Sequence, residues 1–370
     1  MGKKKFNQFL EDNCPNAIKQ IDLITFKGKN ITIDANNFSY RYFSTAAKTV
    51  IKATDLSLGM PDEQKIRTLW INNIISFLCR WMEMGITPVF VFDGEPRPEK
   101  SKYTGEERKT LKQAKIGRIN ELKAKLVDVD PLKQNEKDLR ELEQLLIGNP
   151  HPTYKDLDCF RDLLKHLGLP WFMAKHDAEQ LCAILTIEGF AIATYSADAD
   201  TLIFGCPQLI IETERNIATV VNLKEVLKGL EMTFGQLADI FILSKTDYNK
   251  GLNGMKINRS LETIRKYGKI ESIPQIKPGY LDPHSIKGLK KTEEYPLIDL
   301  DVENNRKIFR FIPSMGFIKK GSEKMELYNF DNLQNLVIEN KLKIDLPYLI
   351  DIRGKLQLAS REPHQTFYFL

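Results

Sequence analysis

The stretch GITPVFVFDG (85–94) places Val89, Phe90, Val91 and Phe92 in an unbroken apolar run that ends in Asp93 and Gly94. A strand with no polar face needs cover on both sides, as in a parallel sheet sandwiched between helices. KNITIDA (29–35), GFAIATYSADAD (189–200) and PQLIIET (207–213) read the same way. Helical stretches lie between them. IRTLWINNIISFLCRWMEMG (66–85) is apolar almost all round and closes on Gly85, which fits a buried, glycine-capped helix with Trp70 and Trp81 in the core. Asp156 to Gly168 and Asp177 to Gly189 also end at a glycine. Strands alternating with helices predict an α/β fold with a mostly parallel central sheet flanked by helices.

Residues 95–155 break this rhythm. From Arg97 to Lys125 ten Lys or Arg face four acids, while the whole chain of 370 residues carries a net charge of only +5. A local basic stretch on a near-neutral body fits either a solvated helix or a surface for a polyanion. The second half is acidic, with Leu139, Leu142, Leu145 and Leu146 at helical spacing. This segment is expected to be an insertion of about two helices standing off the body. The expected divisions are 1–94, the insertion 95–155, 156–243 completing the sheet, 244–285, and 286–370, which carries no readable motif.

Composition narrows the function classes. With 42% hydrophobic and 28% charged residues the chain reads as an ordinary globular protein. Five scattered cysteines form no CxxC pair, so neither a disulfide framework nor a zinc module is expected, and an intracellular, reducing location is. No apolar run is long enough for a membrane span. Lys3 to Lys5 precede FNQFLEDN rather than an apolar stretch, so no secretory leader is expected, and Phe6 stands where myristoylation wants Ser or Thr.

The informative residues are acids. Asp34, Asp93 and the pair Asp198/Asp200 each follow an apolar run, and Asp177 and Glu179 open a helix. Singly, an aspartate after a strand is an ordinary turn or cap residue, and Asp177 could simply cap its helix. Together they fall outside the carboxyl ends of the strands, where open α/β sheets form sites. Such acids repel one another unless cations neutralise them. All-oxygen donors select Mg²⁺ or Mn²⁺ over zinc, and two such ions suit phosphodiester hydrolysis.

Five pieces, in order, resemble the flap endonuclease family of structure-specific 5′ nucleases: ITIDANNFSY (31–40), PVFVFDGEPRPEK (88–100), DAEQLCAIL (177–185), SADADTLIFG (196–205) and TDYNKGLNG (246–254). They span roughly residues 1–275, and LETIRKYGKIESI (261–273) resembles the helix after that family's helix–two-turn–helix element. The resemblance implies a PIN-like fold in which 95–155 forms a helical arch and 244–285 a duplex-binding element. It implies that Asp34, Asp93, Asp177, Glu179, Asp198, Asp200 and Asp247 hold two Mg²⁺ ions, replaceable by Mn²⁺. Lys100 and, more loosely, Arg108 match basic residues at the foot of the arch that contact the scissile phosphate. Tyr40 matches an aromatic that stacks on DNA, Gly2 the buried amino terminus near the site, and Gly251, Gly254, Lys256 and Arg259 lie in the turn that grips duplex phosphates.

The departures are local. Asp177 replaces a glutamate, Lys245 replaces the glycine of a GSDY motif, and GMK (254–256) replaces GIG. Lys256 leaves open whether a K⁺ ion sits at that turn or whether the lysine supplies its charge. No sliding-clamp motif is found; HQTFYFL (364–370) has the wrong spacing. The expected partner is branched or flapped DNA, bound by a monomer in the nucleus or at a viral cytoplasmic replication site. A 5′→3′ exonuclease or junction resolvase of the same family, an exoribonuclease and a non-catalytic DNA-binding scaffold are the alternatives.

Overall fold

The computed structural model describes residues 3–127, 129, 133–309 and 335–336. In chain order, α1 (Lys3–Asn13) leads into β1 (Ile18–Asp22), β2 (Asn30–Asp34), α2 (Ala35–Lys52), α3 (Glu63–Glu83) and β3 (Thr87–Phe92). A helical excursion follows: α4 (Pro98–Lys100), a π-helical turn over 101–105, α5 (Glu106–Val127), and α6 (Glu136–Ile147). The sheet resumes with α7 (Tyr154–His166), β4 (Trp171–Met173), α8 (Ala178–Ile187), β5 (Ala193–Tyr195), α9 (Asp200–Ile203), β6 (Gln208–Glu214) and β7 (Ile217–Asn222). Helices α10 (Leu223–Leu230), α11 (Phe234–Ser244) and α12 (Ile257–Tyr267) follow. A small antiparallel sheet of β8 (Gln275–Lys277), β9 (Tyr280–Leu281) and β10 (Tyr295–Pro296) comes next, then α13 (Val302–Ile308).

The large sheet has the order β1-β7-β6-β5-β2-β3-β4. Strands β2 to β6 run parallel to their neighbours, and β1 and β7 close one edge antiparallel. The apolar runs explain the layering. Along β3, Phe90 and Phe92 face the α2, α3 and α7 core, while Val89 and Val91 face α8. Phe160 of α7 is fully buried and packs its ring against Phe38, Trp70, Phe90 and Phe92. Trp70 and Trp81 are core residues as expected, 1% and 0% exposed.

Two expectations need amendment. Of 189–200 only Ala193–Tyr195 is strand, because the chain bends at its glycine entry and turns into α9 after Ser196. The insertion does not simply stand off the body. Ile119, Leu122, Leu126 and Leu142 of α5 and α6 bury a small core with Leu56 from the α2–α3 loop, and Leu146 of α6 packs on the main core. Leucines spaced along one face of α6 need an apolar partner, and the loop beneath supplies it. Among the described residues no helix is long and apolar enough to cross a membrane.

Candidate metal centre and nucleic-acid interface

The parallel strands β2, β3 and β5 deliver acids to one end of the sheet. Asp34 is the last residue of β2, 5% exposed, and accepts a hydrogen bond from the Asn37 amide at 2.9 Å, so it also caps α2. Asp93 follows β3, and its Oδ1 accepts from the Ala178 amide at 2.8 Å. That bond makes Asp93, rather than Asp177, the side-chain cap of α8. Asp177 occupies the N-cap position but makes no cap bond. Its Oδ1 accepts from Lys100 Nζ at 2.8 Å and its Oδ2 from Arg97 Nε at 3.0 Å.

Glu179 lies one residue into α8 and is 8% exposed. After β5, Asp198 Oδ1 accepts from the Asp200 amide at 3.0 Å, and Asp200 opens α9 at 6% exposure. Asp247, in the turn after α11, lies 3.7 Å from Lys100 Nζ, which is also 4.0 Å from Glu179. Close approach at this end depends on Gly94, where a Cβ would sit 2.0 Å from the Ala174 carbonyl oxygen.

The electrostatics show that the acids form one system. Burial, then Asp93 and Asp198 nearby, push the Asp34 carboxyl up to about 8. Burial, then Asp198, push Asp200 up to about 7 and Glu179 well above the carboxylate range. Burial alone would lower the Lys100 ammonium, but Glu179 and Asp177 more than offset it and hold the group above its ordinary value. Lys100 and Arg97 bring two positive charges to seven carboxyl groups, so the acids without such a partner hold their protons unless a cation arrives. Tyr248, wholly buried beside Glu179, Asp177 and Asp200, keeps a hydroxyl with no partner among the described residues.

The donor set therefore fits hard divalent cations: oxygen donors, more carboxyls than positive partners and a spare buried hydroxyl. Among the described residues no three of these side chains already converge as a coordination cage; Lys100 stands among them.

This arrangement has a measurable consequence. A carboxyl whose pKa is raised on folding favours the folded state when protonated. That stability is fully present below its unfolded pKa of about 4 and lost as pH rises through the folded value. With Asp34 at about 8 and Asp200 at about 7, the Tm of the protein in EDTA should fall between about pH 5 and 8.5. Mg²⁺ should restore much of it at the alkaline end. A Tm in EDTA that stays flat over this range would mean Lys100 and Arg97 neutralise the cluster unaided.

The other expected residues fall into three groups. Tyr40 on α2 is 45% exposed, and its ring lies 6.5 Å from that of His151. Asp93 contributes to the upward shift of its phenol, after burial, so Tyr40 borders the acids. Lys256, Arg259 and Asp247 line one cavity of about 750 Å³ with Asp200 and α1. Gly251 and Gly254 adopt φ of +63° and +77°, and a Cβ on Gly251 would meet the Lys245 amide nitrogen at 2.5 Å. Arg259 also donates to the carbonyls of Gly254 and Gly288 at 3.3 and 3.1 Å, so part of its role is to brace the turn. Lys245, at φ +105°, holds a conformation that strains any L side chain and that glycine would adopt freely. Gly2 and the Arg108 side chain lie outside the described residues, as does the 364–370 tail.

Three residues escaped sequence reasoning: Arg97, Gln180 and Asn304. Arg97 lies inside a quoted motif, but its partners Asp177 and Gln180 are 80 and 83 residues away, and no periodicity signals such a pair.

Comparison with known proteins identifies the family and the fold. Residues 1–115 match the XPG N-terminal domain and residues 168–247 the XPG I-region, together more than half of the chain. Over 289 residues the chain is 30% identical to flap endonuclease 1 of Plasmodium falciparum, covering 74% of this chain but only 42% of that protein. With flap endonuclease 1 of Mycosarcoma maydis it shares 29% over 284 residues, covering 74% of this chain and 70% of the relative. The fold matches flap endonuclease-1 from Methanococcus jannaschii with a TM-score of 0.60 at 19% identity, covering 95% of this chain and 98% of that one. It matches human GEN1 in complex with Holliday junction DNA with a TM-score of 0.54 at 15% identity, covering 95% and 77%. The acid-lined end of a mostly parallel sheet and the two matched regions lead to one conclusion: the chain belongs to the XPG/Rad2-like flap endonuclease family, with its PIN-like nuclease fold.

Proposed function

We propose that this protein is a divalent-metal-dependent, structure-specific 5′ nuclease that hydrolyses phosphodiester bonds at 5′ flaps or related branches in DNA. The observation that carries the reading is the gathering of seven acids from five chain regions around Lys100 at one end of the sheet. Asp34, Asp93, Glu179, Asp198, Asp200 and Asp247 would hold two Mg²⁺ or Mn²⁺ ions. Asp177 stands behind them, because Lys100 and Arg97 take both its oxygens. When bound, the ions supply Lewis-acid polarisation of the phosphate and activation of a water.

The chain's own residues do the rest. Lys100 neutralises charge developing on the phosphate. Tyr40, beside Asp93, offers an aromatic face to a base near the cut. The cavity that Lys256 and Arg259 share with Asp200 and Asp247 offers a track for duplex phosphates, and Gly251 and Gly254 line a second cavity beside Lys245. Lys256 immediately precedes α12 and is exposed, so it can supply a phosphate counter-charge with or without a K⁺ ion. Arg108 and Gly2 belong to the same proposal by their place in the chain. Recognition by phosphate position and DNA shape needs no base code. A monomer in a reducing intracellular compartment completes the reading, and the five free cysteines, four of them buried, suit it.

The test is incubation with an end-labelled 5′-flap duplex, in Mg²⁺ and in EDTA, beside blunt duplex, four-way junction and RNA controls. A metal-dependent cut at the flap junction is expected. Mononucleotide release from blunt duplex would replace the reading with an exonuclease, preference for the four-way junction with a resolvase, and preference for RNA with an exoribonuclease. Binding without any cut would leave a scaffold.

A further inference from the structure

Lys100 lies in the first turn of a helical run that passes through the π-helical turn over 101–105 into α5. Side chains from outside that run fix where its first turn sits. Arg97, immediately before α4, donates Nε to Asp177 and Nη2 to Gln180 Oε1 at 2.5 Å. Gln180 is 2% exposed and uses its other end as well: Nε2 donates to the Ile308 carbonyl at 2.8 Å. Separately, Asn304 Nδ2 donates to Glu99 Oε1, inside α4, at 3.1 Å. Both routes end on α13.

That helix is itself firmly held. Arg306 donates Nε and Nη2 to the buried Asp239 at 2.8 and 2.6 Å and also pairs with Glu271. Asn305, 0% exposed, accepts from Thr246 Oγ1 at 3.2 Å and donates to the Leu300 carbonyl at 3.2 Å.

We propose that Arg97 and Gln180 are positioning residues for Lys100, and that α13 is the anchor that sets where the foot of the arch presents this ammonium. Asp177 is the shared counter-ion of that foot. Residues 302–308, which carry no motif, thereby become part of the cleavage apparatus without touching DNA. This rests on the cleavage reading above.

The test uses the full chain. Gln180→Met keeps the side-chain length and removes both bonds. The single-turnover rate of flap cleavage in Mg²⁺ should fall about tenfold, the worth of one buried charge-assisted bond. Flap affinity in EDTA should stay within about twofold, because phosphate contacts elsewhere carry binding. Gln180→Glu keeps an acceptor for Arg97 but, ionised, cannot donate to Ile308, and should lie between the two.

Two readouts separate positioning from general damage. In a Lys100→Ala background Gln180→Met should slow cleavage no further, because the group being positioned is gone. In metal-free protein the Ser101 amide, which donates to the Arg97 carbonyl at 3.1 Å, should exchange about tenfold faster in the variant, while β3 amides stay unchanged.

A wild-type rate in Gln180→Met, or additive slowing in the double variant, overturns the proposal. If Gln180→Met does not fold, Arg97→Lys carries the same comparison, since a lysine cannot serve Asp177 and Gln180 together. Failure of the wild-type chain to cut any flap sinks the cleavage reading instead. The Ser101 exchange comparison then still decides whether α13 holds the arch foot.

Discussion

Asp34→Asn is expected to slow flap cleavage by ~10³-fold or more, because a lost carboxylate withdraws several kcal/mol of cation-mediated charge stabilisation. The substitution isolates charge from structure. Asp34 also caps α2 through the Asn37 amide, and asparagine caps as well as aspartate does. Asp34 is itself 5% exposed, and its carboxyl is already pushed up to about 8 by burial and neighbouring acids. Removing one of several repelling charges should leave the metal-free protein at least as stable as wild type at pH 8. The paired measurements are single-turnover cleavage and Tm, each in Mg²⁺ and in EDTA. The variant should lose cleavage, keep or raise its Tm in EDTA, and gain less from Mg²⁺. Retained cleavage would remove Asp34 from the cation-holding set, and with it the assignment of this end of the sheet as the site.

Lys100→Ala should slow the chemical step by roughly 10²–10³-fold, the range seen when one preorganised electrostatic donor is removed. Its Nζ lies 2.8 Å from Asp177, 3.7 Å from Asp247 and 4.0 Å from Glu179. Its contacts neutralise the acids, and the proposed function adds a second job, meeting the phosphate. The two are separable. If Lys100 served only the acids, excess Mg²⁺ would replace its charge and the rate would recover at saturating metal. If it meets the phosphate, the rate should stay low at saturating Mg²⁺ and saturating DNA. The decisive measurement is a single-turnover rate against Mg²⁺ concentration. Full recovery at high Mg²⁺ would take Lys100 out of the transition state and leave it as a counter-ion.

Much of this molecule is legible in the order of its residues. The runs ending in Asp34 and Asp93 are strands because nothing but a two-sided core accommodates Ile31, Ile33 and Val89 to Phe92. Their acids follow because a parallel strand leads its next residue to the open end of the sheet. Less is legible where elements are short or half polar. β1 reads IKQID and leaves Lys19 and Gln20 open to solvent; it is a strand only because β7 pairs with it. β4 has three residues, and the small β8–β10 sheet is composed of pieces no longer than that. Their existence depends on a neighbour that local propensity does not report.

The sequence by itself determined the α/β layering and which acids follow its strands, because burial pattern and residue chemistry act through near neighbours. Only the tertiary structure decided how charge is shared among them. Asp93, not Asp177, caps α8, since β3 ends against the first turn of that helix. Asp177 is thereby freed to hold Arg97 and Lys100, and Gln180 ties that pair to α13, 128 residues further along the chain. Such bonds exist only once strands distant in sequence lie side by side. A buried charge settles on the partners that folding brings within reach, and those partners follow from topology rather than from spacing.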